Sequence, residues 1–318
     1  MNRQVSSTTS SVPRVESRSI AGWDRLPSDY AIPAEAPSLE QALEYCRRLA
    51  RSHYENFSVA TWFLPEKYRQ DFFNVYAYCR ISDDLGDEVG DTQASLSLLD
   101  QWQQELEACY AGSPRHPVFV ALAETVRRCQ IPLHEFSDLL TAFRQDQAVT
   151  RYETFEDLLG YCKNSANPVG HLVLYMCGYR DEERQRLSDY TCTALQLANF
   201  WQDVSIDYLK GRIYLPQESL RKFGVTEAEI AAQRNTASFC SMLEFEVERT
   251  REWFRCGLPL IQKVDRGLSI DIELFSRGGQ EILNAIEAQG FAVLGHRPVI
   301  SKPRKLALLM RAALRKLR

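Results

Sequence analysis

From residue 38 onward, one helical pattern follows another, and no run alternates apolar and polar residues as a half-buried strand requires. Apolar residues recur three or four apart over 38–52, 66–86, 94–111, 116–129, 132–148, 154–162, 167–178, 183–207, 236–264, 270–289 and 303–316. The breaks fall where Gly, Pro or polar clusters sit: Gly112-Ser113-Pro114, Gly211 to Pro216, Gly257 to Pro259, and Gly295 to Pro303. Gly and Pro are scarce, 15 and 13 of 318 residues, so tight turns are few. There is no internal repeat and no linker within residues 38–318. The pattern predicts a single all-α domain. Residues 1–37 are Ser/Thr-, Pro- and Ala-rich, and Pro13, Pro27, Pro33 and Pro37 would interrupt any helix. They are expected to form a flexible or loosely docked arm.

Charge and cysteine usage exclude several classes. With 38 Lys+Arg against 42 Asp+Glu, the net charge of −4 argues against whole-chain nucleic-acid binding. No stretch approaches 18 apolar residues, and the first twenty lack a secretory apolar run, so neither a membrane span nor a signal peptide is expected. The nine cysteines are scattered singly, with no Cys-x-x-Cys, which reads as reduced thiols in a cytoplasm. His116, His134, His171 and His296 show no metal-ligand spacing and are expected to be structural.

Two acidic segments carry the chemistry. In Tyr76-Ala77-Tyr78-Cys79-Arg80-Ile81-Ser82-Asp83-Asp84-Leu85-Gly86-Asp87, helical spacing puts Asp83 and Asp87 on one face with Asp84 beside them. Arg80 and Tyr76 continue that stripe. In the second segment Gln196, Asn199, Asp203 and Asp207 are spaced 3, 4 and 4 among Leu195, Leu197, Phe200, Trp201 and Val204. A polar stripe on an apolar helix is costly unless it meets water or holds a charge. A lone Asp-Asp-x-x-Asp is most often a solvated surface. Two such stripes, each with an aligned Arg or amide, suit a Mg²⁺–diphosphate site. Mg²⁺ takes a few carboxylates and fills its octahedron with phosphate oxygens and waters. So neutralised, the diphosphate becomes a leaving group.

These segments resemble the paired aspartate-rich motifs of the squalene/phytoene synthase family. The first is residues 76–88. The second is residues 196–207, followed by Gly211-Arg212-Ile213-Tyr214-Leu215-Pro216. The resemblance spans roughly residues 38–316. It implies the all-α isoprenoid-synthase fold with a central cavity between helices, and Mg²⁺-dependent loss of diphosphate from a prenyl substrate. Within the family, His53-Tyr54-Glu55-Asn56-Phe57-Ser58-Val59, Ser165-Ala166-Asn167-Pro168-Val169-Gly170 and residues 271–279 and 297–305 resemble the bacterial hopanoid-pathway members that form hydroxysqualene. That implies conversion of presqualene diphosphate and water to hydroxysqualene and diphosphate, with no NADPH.

Carried over by resemblance, Asp83, Asp84 and Asp87 would be one set of Mg²⁺ ligands, and Asn199, Asp203 and Asp207 the other. Arg80, Arg212 and His53 would contact or order the diphosphate. Tyr161 and Gln196 match positions near the reacting carbons, and Asn56, Phe57 and Tyr76 complete the substrate site. Ile206 stands where some relatives carry a further carboxylate, and Ser165 with Asn167-Pro168 replaces a common Val-Ala-Gly. Phe57, Phe72, Tyr76, Tyr161, Phe200 and Trp201 are candidates for an aromatic, cation-stabilising lining, although each taken alone is more often plain core. Asn56, Asn167 or Gln196 are candidates to place the quenching water, and the residues do not choose among them.

Other readings stay open. The same stripes would serve a presqualene diphosphate or phytoene synthase joining two prenyl diphosphates. A helical scaffold without chemistry would be expected to have lost acidic ligands. The tail from Ser301 holds seven cations and no acid along an apolar face. It suits either contact with an anionic membrane or packing on the domain, and Lys302 and Arg304 could instead reach the diphosphate.

Overall fold

The computed structural model describes residues 22–52 and 66–317. His53, Asn56 and Phe57 lie outside the described residues. Among those described, the elements are helices, with one isolated bridge between Arg151 and Ile213. The helices are α1 (Leu39–Ser52), α2 (Glu66–Asp87), α3 (Thr92–Ala111), α4 (Pro117–Cys129), α5 (His134–Gln145), α6 (Phe155–Ser165) and α7 (Asn167–Met176). They continue as α8 (Glu182–Gln202), α9 (Val204–Leu209), α10 (Gln217–Phe223), α11 (Glu227–Ala231), α12 (Ala237–Gly257), α13 (Arg266–Ala288) and α14 (Lys302–Leu317).

Local chemistry sets the ends. Ser38 and Gln41 bond reciprocally at the start of α1. Asp91, Thr154, Asp181, Thr236 and Asp265 each accept a main-chain N–H of the following first turn. Two short helices, α10 and α11, lie between the helical patterns at 183–207 and 236–264, where none is expected. They are too short for a periodic signal. The long pattern at 236–264 ends as α12, followed by a 3₁₀ turn at Leu258–Gln262 that accommodates Pro259.

Two apolar cores meet at the middle of the molecule. One gathers α1 to α5, with Tyr78, Trp102, Phe119 and Phe136 fully enclosed. The Tyr78 hydroxyl donates to the Phe136 carbonyl (2.8 Å) and the Trp102 indole to Ser82 (3.0 Å), which pins the rear of α2. The other core gathers α6, α8, α12 and α13. There the buried Trp201 indole donates to Thr250 at 2.7 Å. Both acidic segments therefore ride on helices whose opposite faces are locked in core. Between α5, α7 and α8, His171 bridges two carboxylates, Glu135 at 2.9 Å and Asp189 at 2.7 Å.

From Gly22 the chain is packed rather than loose. The Tyr30 hydroxyl reaches Asp84 (2.8 Å), the Tyr45 hydroxyl donates to the Asp29 carbonyl (2.9 Å), and Arg25 donates to the Val89 carbonyl (2.9 Å). These contacts belong to two 3₁₀ turns, which carry no helical period. At the other end α14 lies on α13. Ala312 is buried against Ile270 and Leu274, Arg311 and Arg315 pair with Glu273, and Arg304 pairs with Glu281 at 2.8 Å. No helix of the described residues is long and apolar enough to cross a membrane.

Candidate active site

The face of α2 opposite its core carries Tyr76, Arg80, Asp83 and Asp87. Asp84 departs from the expectation that it joins them. Its carboxylate turns into the protein, takes both arms of the Arg80 guanidinium and accepts the Tyr30 hydroxyl. With its oxygens so engaged, Asp84 holds Arg80 in place instead of facing a metal. Arg80 also lies 3.8 Å from Asp83. Burial raises Asp83 to about 6, and the charge of Asp87 adds to it.

The second segment is not one helix. α8 ends at Gln202, Asp203 takes φ −108° and ψ 16°, and α9 restarts at Val204. The bend falls inside the polar stripe and re-aims Asp207 relative to Asn199. Asn199 is exposed and Gln196, one turn earlier, is half-buried. Asp207 is raised to about 7 by burial, with the charge of Asp203 reinforcing it and Lys210 and Arg212 opposing.

A glycine turn then joins the two segments. Gly211 has φ 81°, open to a residue without Cβ, and the Arg212 N–H returns to the Asp207 carbonyl at 2.9 Å. This swings two cations across to α2. Lys210 Nζ lies 3.0 Å and Arg212 Nη2 3.2 Å from the Asp87 carboxylate. Burial alone would raise Asp87, but these two cations outweigh it and the group is lowered. Arg297, from the loop before α14, forks onto Asp203 and reaches the Gln202 amide oxygen at 3.1 Å. Lys210 and Arg297 were not singled out as site residues. Only the turn and the loop bring them in, and neither has a periodic signature.

Asp146, just after α5, is a further carboxylate of the site with no motif to announce it. It accepts the Tyr161 hydroxyl at 2.9 Å, and its main-chain carbonyl accepts from Arg212 at 3.4 Å. Burial raises it to about 6, against the pull of Arg212. Around Tyr161 stand Tyr152, Phe200 and Tyr214, with Phe200 and Tyr214 stacked at 3.9 Å between centroids.

Behind Tyr76 lies an apolar cavity of about 370 Å³ between α2, α7, α8 and α13. Phe72, Tyr76, Val173, Leu195 and Phe275 are among its walls. Of the expected aromatic lining, Phe72 and Tyr76 are there. Tyr161 and Phe200 form the separate layer next to Asp146. Trp201 is core, fully enclosed and committed to Thr250. Asn167 is buried and accepts the Thr193 hydroxyl at 3.0 Å. Gly170 lets α7 approach α8 at the cavity wall, where a Cβ would stand 2.2 Å from Ser188 Oγ.

The donor set fits Mg²⁺. Asp83, Asp87, Asn199, Asp203 and Asp207 offer hard oxygens, and desolvation, with a neighbouring carboxylate adding to it, raises Asp83 and Asp207. Among the described residues no group of three or more such side chains is drawn together into a preformed cage.

Known proteins share this chain's sequence and fold. The family model described as squalene/phytoene synthase matches residues 50–304. A 15-cis-phytoene synthase of Synechococcus elongatus is 30% identical over 290 residues, 87% of this chain and 94% of that protein. A crystal structure of the squalene synthase HpnC from Alicyclobacillus acidocaldarius is 43% identical, with a TM-score of 0.77 over 85% of this chain and 98% of that one. A dehydrosqualene synthase solved with a ligand is 24% identical and shares the fold, with a TM-score of 0.76 over 87% of this chain and 96% of that one.

Proposed function

The chain belongs to the squalene/phytoene synthase family, and from that premise we propose that it converts presqualene diphosphate and water to hydroxysqualene and diphosphate. One observation favours the squalene side of the family over the phytoene side. Identity reaches 43% with the squalene synthase HpnC and 30% with the phytoene synthase of Synechococcus. The second reading, condensation of two prenyl diphosphates, is favoured by the names of the curated relatives, which are phytoene synthases.

In this reading Asp83, Asp87, Asn199, Asp203 and Asp207 would hold Mg²⁺, which when bound would supply the charge neutralisation that makes diphosphate a leaving group. Arg80, Lys210, Arg212 and Arg297 take the remaining phosphate charge, the last three exchanging their carboxylate partners for phosphate oxygens. Asp84 keeps Arg80 oriented. The apolar cavity receives the hydrocarbon and excludes bulk water, so that the cyclopropylcarbinyl cation rearranges before capture. Tyr76 and the Tyr161–Phe200 layer offer ring faces to the positive charge. Gln196 lies on the same face of α8, beside the reacting carbons. By resemblance alone, His53, Asn56 and Phe57 would contribute to substrate binding. Water closes the reaction, and no nicotinamide reductant takes part. The enzyme is a carbon–oxygen lyase of the cytoplasm, working at a membrane surface that supplies its lipid.

The test is to incubate the purified protein and Mg²⁺ separately with presqualene diphosphate and with farnesyl diphosphate, then identify the lipids by mass spectrometry. Hydroxysqualene from the first substrate, abolished by Asp203→Ala, supports the proposal. Presqualene diphosphate formed from the second substrate would instead establish the condensing reading.

A further inference from the structure

Tyr161 and Asp146 form a pair whose polarity has consequences. The phenol donates its only proton to Asp146 Oδ2 at 2.9 Å. Tyr152, Phe200 and Tyr214 enclose the ring, so the side chain has little freedom to turn away. Its oxygen therefore presents lone pairs alone to any further neighbour. Asp146 is in turn held by what surrounds it. Arg212 donates to its main-chain carbonyl, and the same guanidinium pairs with Asp87 of the first segment. Asp146 Oδ1 is enclosed, and the Tyr214 hydroxyl is the other side-chain group that faces this carboxylate.

Building on the proposed reaction, we propose that Asp146 is the positioning residue for water capture: it fixes Tyr161 as an acceptor, so that a water bonded to the Tyr161 oxygen turns its own lone pair to the cation. The step balances. A water lone pair forms the C–O bond, and one water O–H bond breaks. That proton passes to the Tyr161 oxygen as the proton of Tyr161 moves to Asp146 Oδ2. The neutral acid then returns its proton to the departing diphosphate, which is a base. Neither oxidant nor reductant is involved.

The experiment reads diphosphate release and lipid identity separately for the wild type, Asp146→Asn, Asp146→Glu and Tyr161→Phe, with folding followed by circular dichroism. Asn can accept the phenol proton but cannot take it up. The alcohol share of the lipid products is expected to fall at least about tenfold in Asp146→Asn and in Tyr161→Phe, the low side of general-base effects. Diphosphate release and KM of Asp146→Asn are expected to stay within about threefold, and Asp146→Glu is expected to recover much of the alcohol. An Asp146→Asn enzyme with the wild-type alcohol share overturns the inference. So does one that loses alcohol and diphosphate release in equal proportion, since that is a structural defect. If the wild type itself makes no alcohol, the proposed reaction fails. The pair is then judged on condensation of farnesyl diphosphate, where a carbon-bound proton must leave. A wild-type rate for Asp146→Asn there overturns it, and a selective loss rescued by Glu supports it.

Discussion

Asp83 and Asp84 are chain neighbours with opposite tasks, because a helix turns by about 100° per residue. Asp83 faces the site at 52% side-chain exposure, while Asp84, at 7%, is sealed with Arg80 and Tyr30. Matching substitutions should separate the two roles. Asp83→Asn should abolish turnover and leave urea unfolding nearly unchanged. Asp84→Asn should lower stability by about 3 kcal/mol, as breaking a buried pair does, and should weaken turnover through a loosened Arg80. Equal stability losses in the two variants would contradict the assignment. Most of the acidic residues were legible in the sequence, because i, i+4 spacing on an apolar helix is a strong signal. The role of Asp84 was not, since its partner Tyr30 lies 54 positions away. Asp146 and Arg297 were missed for the same reason, as their contacts are made in space and not along one helix.

At the scale of elements, the joints between helices decide the site. The Gly211 turn delivers Lys210 and Arg212 to Asp87, and its φ of 81° disfavours a side chain. Gly211→Ala is expected to cost only about 1 kcal/mol of stability. Steady-state kinetics should show KM for the diphosphate substrate rising on the order of tenfold, the worth of one charge-assisted hydrogen bond. Unchanged KM would mean that these cations do not meet the substrate. A second joint is His171 between Glu135 and Asp189. Burial alone would lower this imidazole, but the hydrogen bonds it donates to the two carboxylates outweigh it and raise it from 6.5 to about 9. A raised folded-state value means the protonated form stabilises. That contribution is complete below 6.5 and is lost as pH climbs through about 9. His171→Gln should therefore destabilise by about 3 kcal/mol near pH 6, and the gap from wild type should narrow above pH 9. Denaturant melts across that range check it, and a gap independent of pH would refute the protonated bridge. The helical periods foretold nearly every long element. They missed the break at Asp203, because the polar stripe continues across it while the backbone leaves the helix for one residue.

Across the whole molecule, the all-α class followed from the lack of strand periodicity, and the cavity could be anticipated only through family resemblance. Nothing in a local pattern says that Phe72 on α2, Val173 on α7 and Phe275 on α13 share one wall. The terminal helix shows both faces of its reading. Ala312 and the Glu273 ion pairs dock it on α13, while Leu306, Met310 and Leu314 stay more than half exposed beside a basic surface. We expect this stripe to bind anionic bilayers peripherally. In vesicle sedimentation, binding should fall with salt and with Leu306→Asp/Met310→Asp, and equal binding to neutral and anionic vesicles would refute it. The central claim is that a metal-held diphosphate leaves and water captures the carbon skeleton. The most direct measurement is turnover of presqualene diphosphate with Mg²⁺ in H₂¹⁸O, followed by mass spectrometry of the lipid. The account predicts a hydroxylated C30 product whose single oxygen carries the solvent label. An unlabelled alcohol, or hydrocarbon alone, would contradict it.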